Sequence, residues 1–126
     1  DFTHLRDSAL IGNKLKTNKL LSDTVIDKDK NVYYLNSINQ RLFRLKEIKE
    51  LNNKNLKEAV DFLKPPIFWK DKPKILEQIK KWDNKKINSA LSKTYNVEIE
   101  IKSNSDIDKS IIMRQLLIDI CEIANA

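Results

Sequence analysis

Few side chains in this chain are able to do covalent or metal chemistry, and their spacing keeps them apart. His4 is the only histidine and Cys121 the only cysteine in 126 residues. A metal site of the usual kind needs several His, Cys or carboxylate ligands at short spacings, and a nucleophilic thiol needs a base beside it. One histidine and one cysteine at opposite ends of the chain provide neither. The run IGNKLKT (11–17) lacks the first glycine and the Gly-Lys-Ser/Thr core with which a phosphate loop cradles a triphosphate. Carboxylates are plentiful, but each has lysine near it at helical spacing, the pattern of a solvated ion-pair face. No catalytic, cofactor-binding or metal-ligating residue is expected, and this domain by itself is expected not to be an enzyme.

The stretch with chemistry of another kind is PPIFWKDKP (65–73), where Phe68 and Trp69 stand between prolines and lysines. An exposed Trp69 would stack on an unpaired base, an interaction of about 1–3 kcal/mol, with Lys70 and Lys72 on phosphate. A buried Trp69 would instead clamp the helices on either side, with Phe68 or Ile67 beside it. Both readings stand at this point. The division of labour expected is Ile67 and Phe68 inward and Trp69 partly exposed. Trp82, at helical spacing from Ile75 and Ile79, is expected in the core.

Charge allows a nucleic-acid partner without requiring one. The chain carries 24 Lys and Arg against 18 Asp and Glu, a net charge of +6. A basic balance of that size fits an electrostatic binding face. Yet the lysines are scattered through a sequence rich in Asn and Ile, which equally describes a solvated basic surface.

The elements that must position these residues are helices. A single glycine and three prolines argue against the tight turns of a barrel or sandwich. The expectation is an all-α fold, a single multi-helix bundle of about five to seven helices over residues 1–126. Two short helices meet near Gly12–Asn13, with Leu5, Ala9 and Leu10 on one face of the first and Leu15, Leu20 and Leu21 in the second. The polar connector 26–31 offers Asp29 or Asn31 as a cap for the next helix. Residues 32–51 give the strongest helical signal, with Leu35, Ile38, Leu42, Leu45 and Ile48 at three- and four-residue steps and Phe43 widening the stripe.

NNKN (52–55) interrupts, and a short helix at 56–64 is stopped by Pro65–Pro66. Asp71 is expected to cap, and Pro73 to open, a helix whose apolar side holds Ile75, Leu76, Ile79 and Trp82. Asp83 caps a further helix through Ile87, Ala90, Leu91 and Tyr95. Residues 96–103 alternate like a strand, but a solitary strand would have no partner, so the helix is extended through them. After SNSD (103–106), a last helix at about 108–124 is apolar nearly all round, with Ile111, Ile112, Leu116, Leu117, Ile120 and Ile123. Such a helix is buried, in this domain or against another subunit.

The single cysteine excludes an intramolecular disulfide and suits a reducing, cytoplasmic setting. No run approaches the roughly 20 apolar residues of a membrane span, and the opening residues are not expected to be a signal peptide. Because the chain starts at Asp1 rather than Met, it is expected to be an excised domain.

In this order, DSALIGNKLKTNKLL, VYYLNSINQRLFRLKEI, PPIFWKDKPKILEQIKKW and INSALSKTYNVEIEIKS resemble the C-terminal third of the bacterial DNA polymerase III delta subunit. That region is the helical collar domain of the clamp loader. The similarity runs over essentially the whole chain and rests on the order of the segments. The resemblance implies a role in assembly: five subunits close a ring through their collars, while ATPase-type modules below open the sliding clamp over primed DNA.

It implies partners of the gamma/tau and delta-prime type through the collar. Contact with the sliding clamp would pass through an N-terminal module absent from these residues. Primed DNA would lie near Trp69, Lys70 and Lys72. On this reading Tyr34, Arg41, Arg44, Ile112, Leu116 and Ile120 are the expected subunit-interface residues, with surplus apolar surface on the 32–51 and final helices. The rival readings are a free-standing helical module for single-stranded nucleic acid and a helical adaptor whose groove takes a partner helix.

Overall fold

A computed structural model describes residues 1–51, 53–103 and 106–126. Among them lie seven α-helices and no strand: α1 (Phe2–Ile11), α2 (Lys14–Asp23), α3 (Asn31–Glu50), α4 (Leu56–Phe62), α5 (Lys72–Ile79), α6 (Asn84–Ser103) and α7 (Lys109–Asn125). Single 3-10 turns at Lys28–Lys30 and Trp69–Asp71 lead into α3 and α5. The expected all-α bundle forms, and residues 96–103 are the last turns of α6. Parts of the expected breaks NNKN and SNSD, namely residues 52, 104 and 105, lie outside the described residues.

Short polar side chains set most helix starts by accepting from orphan backbone N–H groups. Asn13 accepts from Lys16 N at 3.0 Å, Asn55 from Glu58 N at 2.8 Å, Asp83 from Lys86 N at 2.8 Å, and Asp108 from Ser110 N at 2.9 Å. Gly12 ends α1 in the left-handed region, with φ of 79°. Two expected caps are not made. Asp27 caps the 3-10 turn through Asp29 N, while the Asn31 side chain donates back to the Lys28 carbonyl, so neither Asp29 nor Asn31 caps α3. Asp71 makes no capping bond because the 3-10 turn runs directly into α5, leaving Pro73 in the first turn.

α1 is the central element, packed against α2, α3, α5 and α7, while α6 lies across α3 and α7. This explains why α1 is buried on most of its circumference, including Arg6, Asp7 and Ser8 as well as Leu5, Ala9 and Leu10. On α3 the buried stripe is Tyr34, Leu35, Ile38, Arg41, Leu42, Leu45 and Ile48. Phe43 does not widen it: the helix turns that ring outward, and Arg41 holds the inward position instead. In α2 the inward side is Thr17 and Leu21, so Leu15 is solvent-facing. On α7, Ile112, Met113, Leu116, Leu117, Ile120, Cys121 and Ala124 are buried and Ile111 is exposed. Tyr95 of α6 is also exposed.

Polar side chains fasten several helix ends. Arg114 of α7 donates to the carbonyls of Leu21 and Thr24, at 3.0 Å for the second. Asn125 Nδ2 donates to Gly12 O at 2.8 Å, and Lys86 Nζ to Ala124 O at 3.2 Å.

Candidate functional site

The joint between α4 and α5 begins with Leu63, which is buried, and passes through a cis Lys64–Pro65 peptide. Two consecutive prolines offer no N–H for helix continuation, so the chain crosses from α4 to α5 in extended form until the 3-10 turn. Beyond Leu63, only Ile67 of this crossing packs against the core. Phe68 is 57% exposed and Trp69 68% exposed. The inward placement expected for Phe68 is therefore not found; one half-buried residue suffices to anchor the short crossing, and both aromatic rings remain outside. Their centroids lie 5.9 Å apart at 57°, and Lys70 Nζ stands 5.3 Å from the Trp69 ring centroid, a cation over an aromatic face.

Two clamps fix this joint. Arg44 of α3 donates from Nη2 to the Pro65 carbonyl at 2.6 Å. Lys72, in the first turn of α5, pairs with Asp61 of α4 at 2.7 Å, and its hydrogen bond holds the Asp61 carboxyl below its ordinary range. Of the three residues expected at nucleic acid, Trp69 and Lys70 are therefore presented outward together, whereas Lys72 is engaged across the joint. A second ring with a lysine over its face is Phe62 at the end of α4, also exposed, with Lys54 Nζ at 4.8 Å.

The expected interface residues are distributed differently. Ile112, Leu116 and Ile120 are almost fully buried inside the domain, as are Tyr34 and Arg41. Tyr34 stacks on Phe2 at 4.3 Å, and its hydroxyl accepts from Asp27 N at 3.0 Å. The reason is geometric: these positions fall on the inward stripes of α3 and α7, so their side chains complete the domain's own core. Of the six, Arg44 alone retains appreciable exposure.

Surplus apolar surface sits beside that stripe instead. Between α6 and α7 lies an open groove of about 490 Å³, with Val97, Ile107 and Ile111 among its walls and Ile112 and Leu116 at its base. A Lys93–Asp119 ion pair at 3.3 Å stands on its rim. Sequence reasoning treats the last helix as one apolar cylinder, so it names the floor of the groove rather than its wall.

A buried polar network joins α1, α3 and α5. Asp7 Oδ1 accepts from Arg6 Nε at 3.0 Å, Arg6 Nη2 at 2.8 Å and Gln78 Nε2 at 3.2 Å. Gln78 Oε1 accepts from Arg41 Nη1 at 2.9 Å, and Arg6 Nη1 donates to Ser37 Oγ at 2.9 Å. Burial, and next the nearby Arg6 charge, lower the pKa of Arg41. Nothing in the hydrophobic periodicity signals this network.

No protein-family model matches this chain, and no curated protein or solved structure matches it significantly.

His4 is exposed on α1 and Cys121 is buried in α7. Among the described residues, no group of three His, Cys, Asp or Glu side chains is placed to hold a metal ion. Among the described residues, no helix is long and apolar enough to cross a membrane.

Proposed function

We propose that this domain is the helical collar of a clamp-loader delta-type subunit, an assembly module that presents Trp69 to primed DNA. The observation that carries the proposal is a bundle with a completed core that still leaves an apolar groove open between α6 and α7. Obligate subunit interfaces resemble a divided core, and a wall of Val97, Ile107 and Ile111 is suited to a neighbour's apolar side chains. The order of the four resembling segments, running through α1–α2, α3, α5 and α6, is what supports reading that neighbour as a gamma/tau- or delta-prime-type subunit. In such a ring the module transforms no molecule. Its contribution is to hold its attached modules in register while others hydrolyse ATP.

The test is co-expression of the parent protein with the gamma/tau- and delta-prime-type subunits of the same genome, followed by native mass spectrometry. Ile111→Asp is expected to leave the domain folded, because Ile111 is exposed, and to eliminate the assembled ring. A ring of unchanged stoichiometry and stability would overturn the assignment of that groove; absence of any ring with the wild-type protein would overturn the collar reading.

The second reading, a free-standing module for single-stranded nucleic acid, is favoured by the exposed Trp69 with Lys70 over its ring. It differs in one measurable respect. A free-standing module binds tightly by itself, with affinity falling steeply as salt rises, whereas a collar binds weakly until the ring assembles.

A further inference from the structure

Trp69 projects from a crossing segment with a single core-facing residue, Ile67, yet a stacking platform is effective only if its ring is held in place before the base arrives. The residue best placed to hold it is Arg44. Its Nη2 donates to the carbonyl of Pro65 at 2.6 Å, four residues ahead of the indole. Its Nη1 lies 3.8 Å from Glu47 Oε1 one turn along α3, beyond hydrogen-bond distance, so the bond to Pro65 is the contact that sets the guanidinium. The opposite end of the crossing is closed by Lys72 on Asp61. Between these two clamps only Pro66, Ile67, Phe68, Trp69, Lys70 and Asp71 are left, and the last three are already in a 3-10 turn.

We infer that Arg44 is a positioning residue for nucleic-acid binding: its hydrogen bond to the Pro65 carbonyl fixes the 65–71 crossing so that Trp69 is pre-set to stack on a base. This rests on the reading of Trp69 as a nucleic-acid contact. Arg44 is basic and lies next to that contact, so a direct bond to phosphate is the natural competing role. Geometry argues against it, because one end of the guanidinium is committed to Pro65 and the other faces Glu47. A residue that acts through Trp69 should lose its effect once the indole is gone; a phosphate ligand should not.

The experiment is a double-mutant cycle with Arg44→Met and Trp69→Ala, reading anisotropy of a fluorescein-labelled oligothymidine titrated with the 126-residue chain over a salt series that starts low enough for the weak binding of an unassembled collar to be read. No binding by the wild type at the lowest salt overturns the inference. Thermal melts followed by circular dichroism select conditions in which every variant is folded. Trp69→Ala is expected to weaken binding by about 5- to 150-fold, the range of one stacked base. Arg44→Met is expected to weaken it by roughly 3- to 10-fold, with the salt slope unchanged and with no further loss in the Trp69→Ala background.

Asp61→Asn, which loosens the other clamp without touching Arg44, should act in the same direction. In the absence of DNA, Arg44→Met should also speed the fluorescence depolarisation of Trp69, since Trp82 is buried and its motion is unaffected. If Arg44→Met reduces the salt slope by about one and adds fully to Trp69→Ala, Arg44 is a phosphate ligand and the inference is overturned. It is equally overturned if Arg44→Met leaves both binding and depolarisation unchanged. If Trp69→Ala itself has no effect on binding, the reading of Trp69 falls, and the depolarisation result alone then decides whether Arg44 orders the crossing.

Discussion

The indole Nε1 of Trp82 donates to the carbonyl oxygen of Leu10 at 2.7 Å, tying the turn after α5 to the last turn of α1. Trp82 is 2% exposed and Trp69 is 68% exposed, so the two tryptophans of this chain divide between core and surface. The first is a structural bolt with a satisfied donor; the second has its ring in solvent.

Substitutions at these two positions should separate accordingly. Trp82→Ala removes a large buried ring and is expected to destabilise the domain by about 3–5 kcal/mol. Trp69→Ala is expected to change stability by no more than about 0.5 kcal/mol, as at an ordinary surface position. Urea unfolding followed by far-ultraviolet circular dichroism measures both. A loss of several kcal/mol at Trp69 would make it a packing residue and remove the basis for stacking.

The buried network makes a second prediction. Arg6 and Arg41 place two guanidinium groups in the interior, and Asp7 is the carboxylate hydrogen-bonded within the same cluster. Asp7→Asn keeps the shape and removes the charge that pairs with Arg6 and, together with Asp71, favours charged Arg41, a change of about 3–5 kcal/mol for a broken buried pair. Burial and then the Arg6 charge lower the pKa of Arg41. The guanidinium stays protonated at any working pH, so the penalty is constant across ordinary buffers. Combining Asp7→Asn with Arg6→Met should recover a substantial fraction of the loss. Equal instability of the single and double variants, measured by urea melts, would show that charge compensation is not what Asp7 supplies.

These contrasts mark how far the sequence is legible. Helix order, the Gly12 joint, the α3 stripe of Leu35, Ile38, Leu42, Leu45 and Ile48, and the core role of Trp82 come from periodicity and turn chemistry, which are local. The inward positions of Arg41 and Gln78 do not, because a buried polar pair is recognised only when both partners are in place. Hydrophobicity alone points Phe43 and Phe68 inward; the first lies beyond the edge of its helical stripe, and the second comes after a crossing already anchored by Ile67. At the candidate site, the prolines and lysines mark the joint but leave Trp69 open between core and surface, because an aromatic at a helix junction packs inward as readily as it faces out. Its exposure follows from Ile67 taking the inward place. The engagement of Lys72 with Asp61 and of Arg44 with Pro65 is not legible either, since each depends on contacts between elements that are separate in the sequence.

The start of α7 should carry an acid-sensitive element. Asp108 accepts from Ser110 Oγ at 2.7 Å and from Ser110 N at 2.9 Å, and these bonds lower its pKa from the ordinary 3.8. A carboxyl whose folded pKa is depressed contributes stability that is fully present above 3.8 and is lost as pH falls through the folded value. Asp61, held down by Lys72, contributes in the same direction. Asp108→Asn keeps a capping oxygen but cannot titrate, so the acid limb of a stability–pH curve should become shallower below 3.8 than in the wild type. An identical acid limb would mean that the bonds from Ser110 do not favour the charged form.

Gly12 sets the final prediction. Its φ of 79° is a left-handed conformation that costs a residue with a Cβ about 1–2 kcal/mol. A Cβ there would also stand 2.6 Å from Asn125 Oδ1, while Asn125 Nδ2 donates to Gly12 O at 2.8 Å and its Oδ1 accepts from Lys81 Nζ at 3.1 Å. Gly12→Ala therefore strains the α1–α2 joint and pushes away the side chain that fastens the end of α7 to it. Each hydrogen bond lost adds about 0.5–1.5 kcal/mol to the backbone cost. The two contributions separate in a pair of variants measured by urea unfolding. In an Asn125→Ala background the collision is gone, and Gly12→Ala should then cost only the backbone share. Should the cost of Gly12→Ala be the same in both backgrounds, Asn125 has room to move aside and the joint is held by the turn alone.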